Sequence, residues 1–110
     1  MIKWNVRGNR DSLYRACIEK WGVKGRLLKA AEEAGEMGAA FIRLVLAPAG
    51  HSPEENMDNA LSELVDVHVM LEQTLLILGD KRDSKGRTLH QIRAEKLERL
   101  KGLLEEAKND

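Results

Sequence analysis

Residues 31–66 read AEEAGEMGAAFIRLVLAPAGHSPEENMDNALSELVD, and the acidic groups at the two ends of this stretch decide how the chain is expected to fold. The first, EEAGE, supplies Glu32, Glu33 and Glu36; the second, ELVD, supplies Glu63 and Asp66. Residues three apart share a helix face, so Glu33 with Glu36 and Glu63 with Asp66 each aim two carboxylates in one direction. Two such helices set face to face would close one acidic pocket. Like charges at ~4 Å repel by several kcal/mol at intermediate dielectric, so the pocket calls for a positive partner, and a divalent metal is the natural one. For Glu32, Glu33 and Glu36 alone, a solvated helix face with Lys29 pairing to Glu33 is the simpler account. Glu63 and Asp66 resist that account. They lie in the most apolar part of the chain, and no Lys or Arg occurs between Glu54 and Asp80 to neutralise them. A partly buried, ionised carboxylate is costly unless paired or metal-bound.

Working outward, an all-α domain of four helices with long central members is expected. Residues 1–10 have no helical period and read as an arm. A first helix is predicted over about 11–21, with Leu13, Ala16, Cys17 and Trp21 inward, ended by Gly22. A second runs over about 24–46 and stops ahead of Pro48, with Leu27, Ala31, Ala34, Phe41 and Val45 as its apolar stripe. The loop 47–56 leads into a strong start signal, with Ser52 as N-cap, Pro53 at the first helical position and Glu55 completing a capping box. The third helix, to Leu78, is apolar almost all round between Ala60 and Leu78, which predicts a central, buried element. The connector 79–87 is polar. Thr88 and Gln91 form a second capping box, opening a fourth helix that turns Leu89, Ile92, Leu97, Leu100, Leu104 and Ala107 inward.

Composition narrows the function. The chain has 110 residues, 43% hydrophobic, 33% charged and 4% aromatic, with no net charge. That fits one small helical domain for which oligomerisation would help, and it offers no basic field for a nucleic-acid backbone. Cys17 is the single cysteine, so no intramolecular disulfide forms. No apolar run has the length of a signal peptide or membrane span, and the expected location is the cytoplasm. The ligand set is all oxygen, without Cys or His at coordinating spacing. Such a set favours Mg²⁺, or Mn²⁺ as a substitute, and an open magnesium pocket suggests phosphate chemistry.

With these residues in view, EEAGE followed by ELVD resembles the E-E-x-x-E then E-x-x-D pattern of the MazG-like, all-α nucleoside triphosphate pyrophosphohydrolases, relatives of the dimeric dUTPases. Trp21-Gly22 and Leu27 before the acidic run, and DVHVMLEQ after Glu63, are similar to family members as well. Arg26 stands where relatives often carry Gln, and Leu100 near their Asn. The resemblance implies cleavage of a nucleoside triphosphate between its α and β phosphates, giving monophosphate and pyrophosphate, as in clearing unwanted nucleotides. It implies Glu33, Glu36, Glu63 and Asp66 as Mg²⁺ ligands, and Glu32 as an outer residue or the base for the attacking water. Lys96 and Arg99 would contact phosphates, and the assembly would be a homodimer or tetramer.

Further candidates carry plainer alternatives. Lys29, Lys81 and Arg82 could contact phosphates, although the last two also suit a solvated connector. Trp4 and Trp21 could stack on a base or simply pack. His68 reads as a hydrogen-bonded core residue. The competing function is a non-catalytic helical binding module that uses its acidic cleft for a cation or a basic partner.

Overall fold

The computed structural model describes residues 7–109, so Trp4 and most of the expected arm lie outside the described residues. The described residues form three helices: α1 (Arg7–Leu46), α2 (Pro53–Leu78) and α3 (Leu89–Lys108). Among the described residues there is no strand, only an isolated antiparallel bridge between Arg82 and Thr88. Among the described residues no helix is long and apolar enough to cross a membrane. The chain divides into two compact units, Met1–Ile77 and Leu78–Asp110.

Three helices stand where four were expected because Gly22 interrupts α1 without a loop. Its φ of 80° and ψ of 160° are non-helical and suit glycine alone. The helix also starts before Asp11, at Arg7. Tyr14 Oη donates to Glu72 Oε1 at 3.2 Å, and Arg26 Nη1 donates to Gln73 Oε1 at 3.3 Å. In a straight helix Tyr14 and Arg26 would lie about 18 Å apart, yet they reach adjacent residues of α2.

Beyond Gly22, α1 runs antiparallel to α2: Arg26 meets Gln73, and Glu36 lies in one carboxylate group with Glu63. Continuing this register, Ala40 falls opposite Ala60, at 0% and 3% exposure. The row of α1 that faces α2 is therefore Arg26, Lys29, Glu33, Glu36 and Ala40, spaced at three and four residues. In the single chain the apolar stripe is largely uncovered: Leu27 is half-buried, but Ala31, Ala34, Phe41 and Val45 are exposed, as are Leu13 and Trp21, expected inward, before Gly22. The helix expected to be buried all round buries only Asn56, Ala60, Val67, Met70 and Gln73, leaving Leu61, Leu64, Val65, Leu71 and Leu75 exposed. His68 is half-exposed rather than core, with its Nδ1 3.4 Å from Glu72 Oε1.

The helix starts follow local chemistry. Ser52 Oγ accepts from Glu55 N at 3.0 Å as expected, whereas the Glu55 carboxylate faces His51 Nδ1 at 3.9 Å. In the second unit, Thr88 and Gln91 form the full capping box. The connector is an ordered loop: Asp83 Oδ1 accepts from Lys85 N and Arg87 N, Oδ2 accepts from Arg87 Nε, and Arg87 also pairs with Glu95. These backbone and guanidinium donors, led by the Arg87 amide, hold the Asp83 carboxyl below its usual range. No residue of α3 is buried, so Leu97, Leu100 and Leu104, predicted inward, are exposed.

Candidate metal centre

The site is built from one row of each helix. Glu33 and Glu36 stand one turn apart on α1, and Glu63 comes from α2 through the register that pairs Arg26 with Gln73. One carboxylate oxygen from each lies within 4.8 Å of the other two. Glu33 is 8% exposed, Glu63 is intermediate and Glu36 is exposed, so the group opens to solvent on one side. Glu33 Oε2 and Glu63 Oε2 are buried and accept no hydrogen bond from the described residues.

Positive charge reaches only one edge of this group. Lys29 Nζ lies 3.1 Å from Glu33 Oε1 and 3.4 Å from Glu32 Oε1, and these contacts, the bond to Glu33 foremost, raise its pKa. Among the described residues no ion pair reaches Glu36 or Glu63. The charge of Glu33, then burial, then the charges of Glu63 and Glu32 push the Glu36 carboxyl above its usual range, against a smaller opposing effect from Lys29. Two buried oxygens without a donor among the described residues and a third carboxylate whose pKa is raised describe a group short of positive charge. An all-oxygen set of this kind fits a hard divalent cation. Glu33, Glu36 and Glu63 are the residues that would hold it.

The remaining predicted residues fall in different places. Asp66, one turn along α2 from Glu63, is exposed and stands outside the three-oxygen group. Glu32 is exposed beside Lys29. Trp21 is 57% exposed with the Arg26 guanidinium 4.7 Å above its ring. Lys81, Arg82, Lys96 and Arg99 belong to the second unit, where Arg82 donates to the Gly86 carbonyl.

Two polar clusters were not anticipated. Glu72 gathers Arg10 at 2.8 Å, Tyr14 and His68, and burial together with the Glu72 charge raises the Tyr14 pKa. Gln73, 4% exposed, holds Arg26. The available signal was a Glu-Gln pair inside an otherwise apolar run, which demands buried partners. Compared with family models, with curated proteins and with solved structures, the chain finds no match.

Proposed function

We propose that the chain is a divalent-metal-dependent nucleoside triphosphate pyrophosphohydrolase of the MazG-like kind, with Mg²⁺ as the cation, Mn²⁺ as a substitute and cytoplasmic nucleotides as substrates. The observation that carries this reading is the convergence of Glu33, Glu36 and Glu63, one carboxylate oxygen of each within 4.8 Å of the others, from two helices. When bound, such a cation neutralises the triphosphate and lowers the pKa of a water at the site. The side chains do the rest. Glu33, Glu36 and Glu63 present oxygens, and Asp66 at the exposed rim extends the same row of α2. Lys29 holds Glu32 and Glu33 in place and keeps a third N–H for a phosphate oxygen. Glu32, which accepts from Lys29 through Oε1, is the proposed base for the proton of the attacking water. No covalent nucleophile enters, and Cys17 has no part.

The proposal includes a homodimer or tetramer, supported by the number of large apolar side chains the single chain leaves in water. The deciding experiment measures pyrophosphate, separately from orthophosphate, across ribo- and deoxynucleoside triphosphates with and without Mg²⁺. Metal-dependent pyrophosphate that disappears in Glu36→Gln and Glu63→Gln variants of unchanged helix content is the expected result. Calorimetric Mg²⁺ binding with no turnover of any triphosphate would overturn the hydrolase and leave a cation-binding module.

A further inference from the structure

The three-carboxylate site leaves the first turns of α2 without a role. A cavity of about 390 Å³ opens there, lined by His51, Glu55, Asn56, Asp58 and Asn59. Most of this lining is exposed, but Asn56 is buried, at 3% exposure. Its backbone N–H donates to the Ser52 carbonyl, whereas its side-chain carboxamide pairs with no described residue. Neither atom of that carboxamide is sealed from the surface. A buried amide is ordinarily hydrogen-bonded, so one that lines a cavity with its donors and acceptor unused points to a polar ligand. The rest of the lining is rich in acceptors. Glu55 and Asp58 share a helix face at a spacing of three, and Asp58 enters no ion pair with a described residue. Glu55 faces only His51, 3.9 Å away. The cavity lies on the same side of α2 as Glu63: Asn59 stands one turn before it and Asn56 two turns, about 6 and 10 Å along the axis. That is the span a sugar bridges between phosphate and base.

We propose that this cavity takes the nucleobase and selects bases that carry an exocyclic amino group, adenine, cytosine or guanine, against uracil and thymine. The inference rests on the nucleotide reading above. Cytosine N4, adenine N6 and guanine N2 are donors, whereas uracil and thymine set the acceptor O4 where cytosine has its amino group. Ionised carboxylates only accept. Glu55 and Asp58 therefore receive an amino group and repel a carbonyl oxygen. The Asn56 carboxamide donates to the ring nitrogen beside that amino group, an acceptor in all three favoured bases.

The test titrates Mg²⁺ complexes of the α,β-methylene triphosphates of cytidine, uridine, guanosine and inosine into the protein, with helix content followed throughout. Each pair differs at one amino group: uracil replaces that of cytosine by a carbonyl, and hypoxanthine lacks that of guanine. Wild type should bind cytidine over uridine and guanosine over inosine by about tenfold, the worth of one charge-assisted hydrogen bond. Glu55→Gln combined with Asp58→Asn, which keeps the shape and adds amide donors, should bring the members of each pair together. Asn56→Leu, close in volume, should weaken the cytidine and guanosine analogues. Equal affinities within both pairs in wild type, or ratios unchanged in the double variant, would overturn the base assignment while leaving the hydrolase intact, and undiminished binding in Asn56→Leu would remove Asn56 from the site. If no analogue binds although Mg²⁺ does, the nucleotide reading falls and this inference with it. Should the double variant lose helix content, the wild-type ratios and the two single variants decide.

Discussion

At the scale of single residues, Glu36 is where folding and the proposed metal binding oppose one another. Its carboxyl is held above its usual range chiefly by Glu33, so the folded state takes up a proton there that the unfolded chain has released. Its contribution to stability is therefore fully present below the unfolded-state pKa and is lost as pH rises through the folded one. Without metal, Glu36→Gln should melt at a higher temperature than wild type near neutral pH and should lack this part of the acid-side dependence. A lower melting temperature for metal-free Glu36→Gln would remove the like-charge account. With Mg²⁺ the order should reverse, because the variant lacks one ligand; affinity should fall by more than the ~10–100-fold typical of losing a mere ligand-orienting partner. Calorimetry as pH is lowered should show wild-type Mg²⁺ affinity declining as Glu36 protonates. Tyr14→Phe makes a contrasting case: it deletes the bond to Glu72 and should cost about 0.5–1.5 kcal/mol in denaturant unfolding, with metal affinity unchanged.

At the scale of elements, what was legible in the sequence was local. The start of α2 at Ser52-Pro53, its end at Leu78 and the Thr88–Gln91 box are each decided by a few neighbouring residues, and the structure has them. The break at Gly22 was legible too, but its form was not, since only the paired contacts of Tyr14 and Arg26 with α2 reveal how far the chain turns. Helix faces were the least legible. Periodicity finds an apolar stripe on α1 through Leu27, Phe41 and Val45, and periodicity alone assumes that such a stripe meets its own chain. The row that meets α2 instead carries Arg26, Glu33 and Glu36. Hence three of the four expected metal ligands come together, while Asp66 sits at the rim. Two neighbouring glycines test the bend. Gly22→Ala forces a side chain into a backbone region used essentially by glycine and should cost about 1–3 kcal/mol in chemical unfolding. Gly25 is helical, and an added Cβ would rest 3.8 Å from Trp21 Cβ, an ordinary contact. Gly25→Ala should therefore leave stability level or raise it by up to ~1 kcal/mol, and equal losses at both sites would deny Gly22 its special role.

At the scale of the whole molecule, the first unit buries a small core of Tyr14, Ala40, Ala60, Val67 and Met70 and leaves many of its larger aliphatic side chains exposed. Phe41, Ile42, Val45 and Leu46 line an apolar groove at the end of α1, with Val45 80% exposed. Leaving such residues in water forgoes about 1.5–3 kcal/mol each, which a second copy would recover. Sedimentation of wild type should accordingly give a mass above that of one chain, and Val45→Glu with Leu46→Glu should lower it. A monomeric wild type at micromolar concentration would sink the assembly proposal. The pair Ala40 and Ala60 has a different consequence. Side chains this small let the two backbones approach closely, just one turn from the carboxylates of Glu36 and Glu63. In the proposed metal site, the close approach that these two alanines allow would act as a ruler for ionic size. Magnesium binds oxygen at about 2.0–2.1 Å and calcium at about 2.3–2.6 Å, so a slightly wider gap between the helices would suit the larger ion. Ala40→Val, by wedging the helices apart, should shift preference from magnesium toward calcium, with the carboxylates themselves untouched.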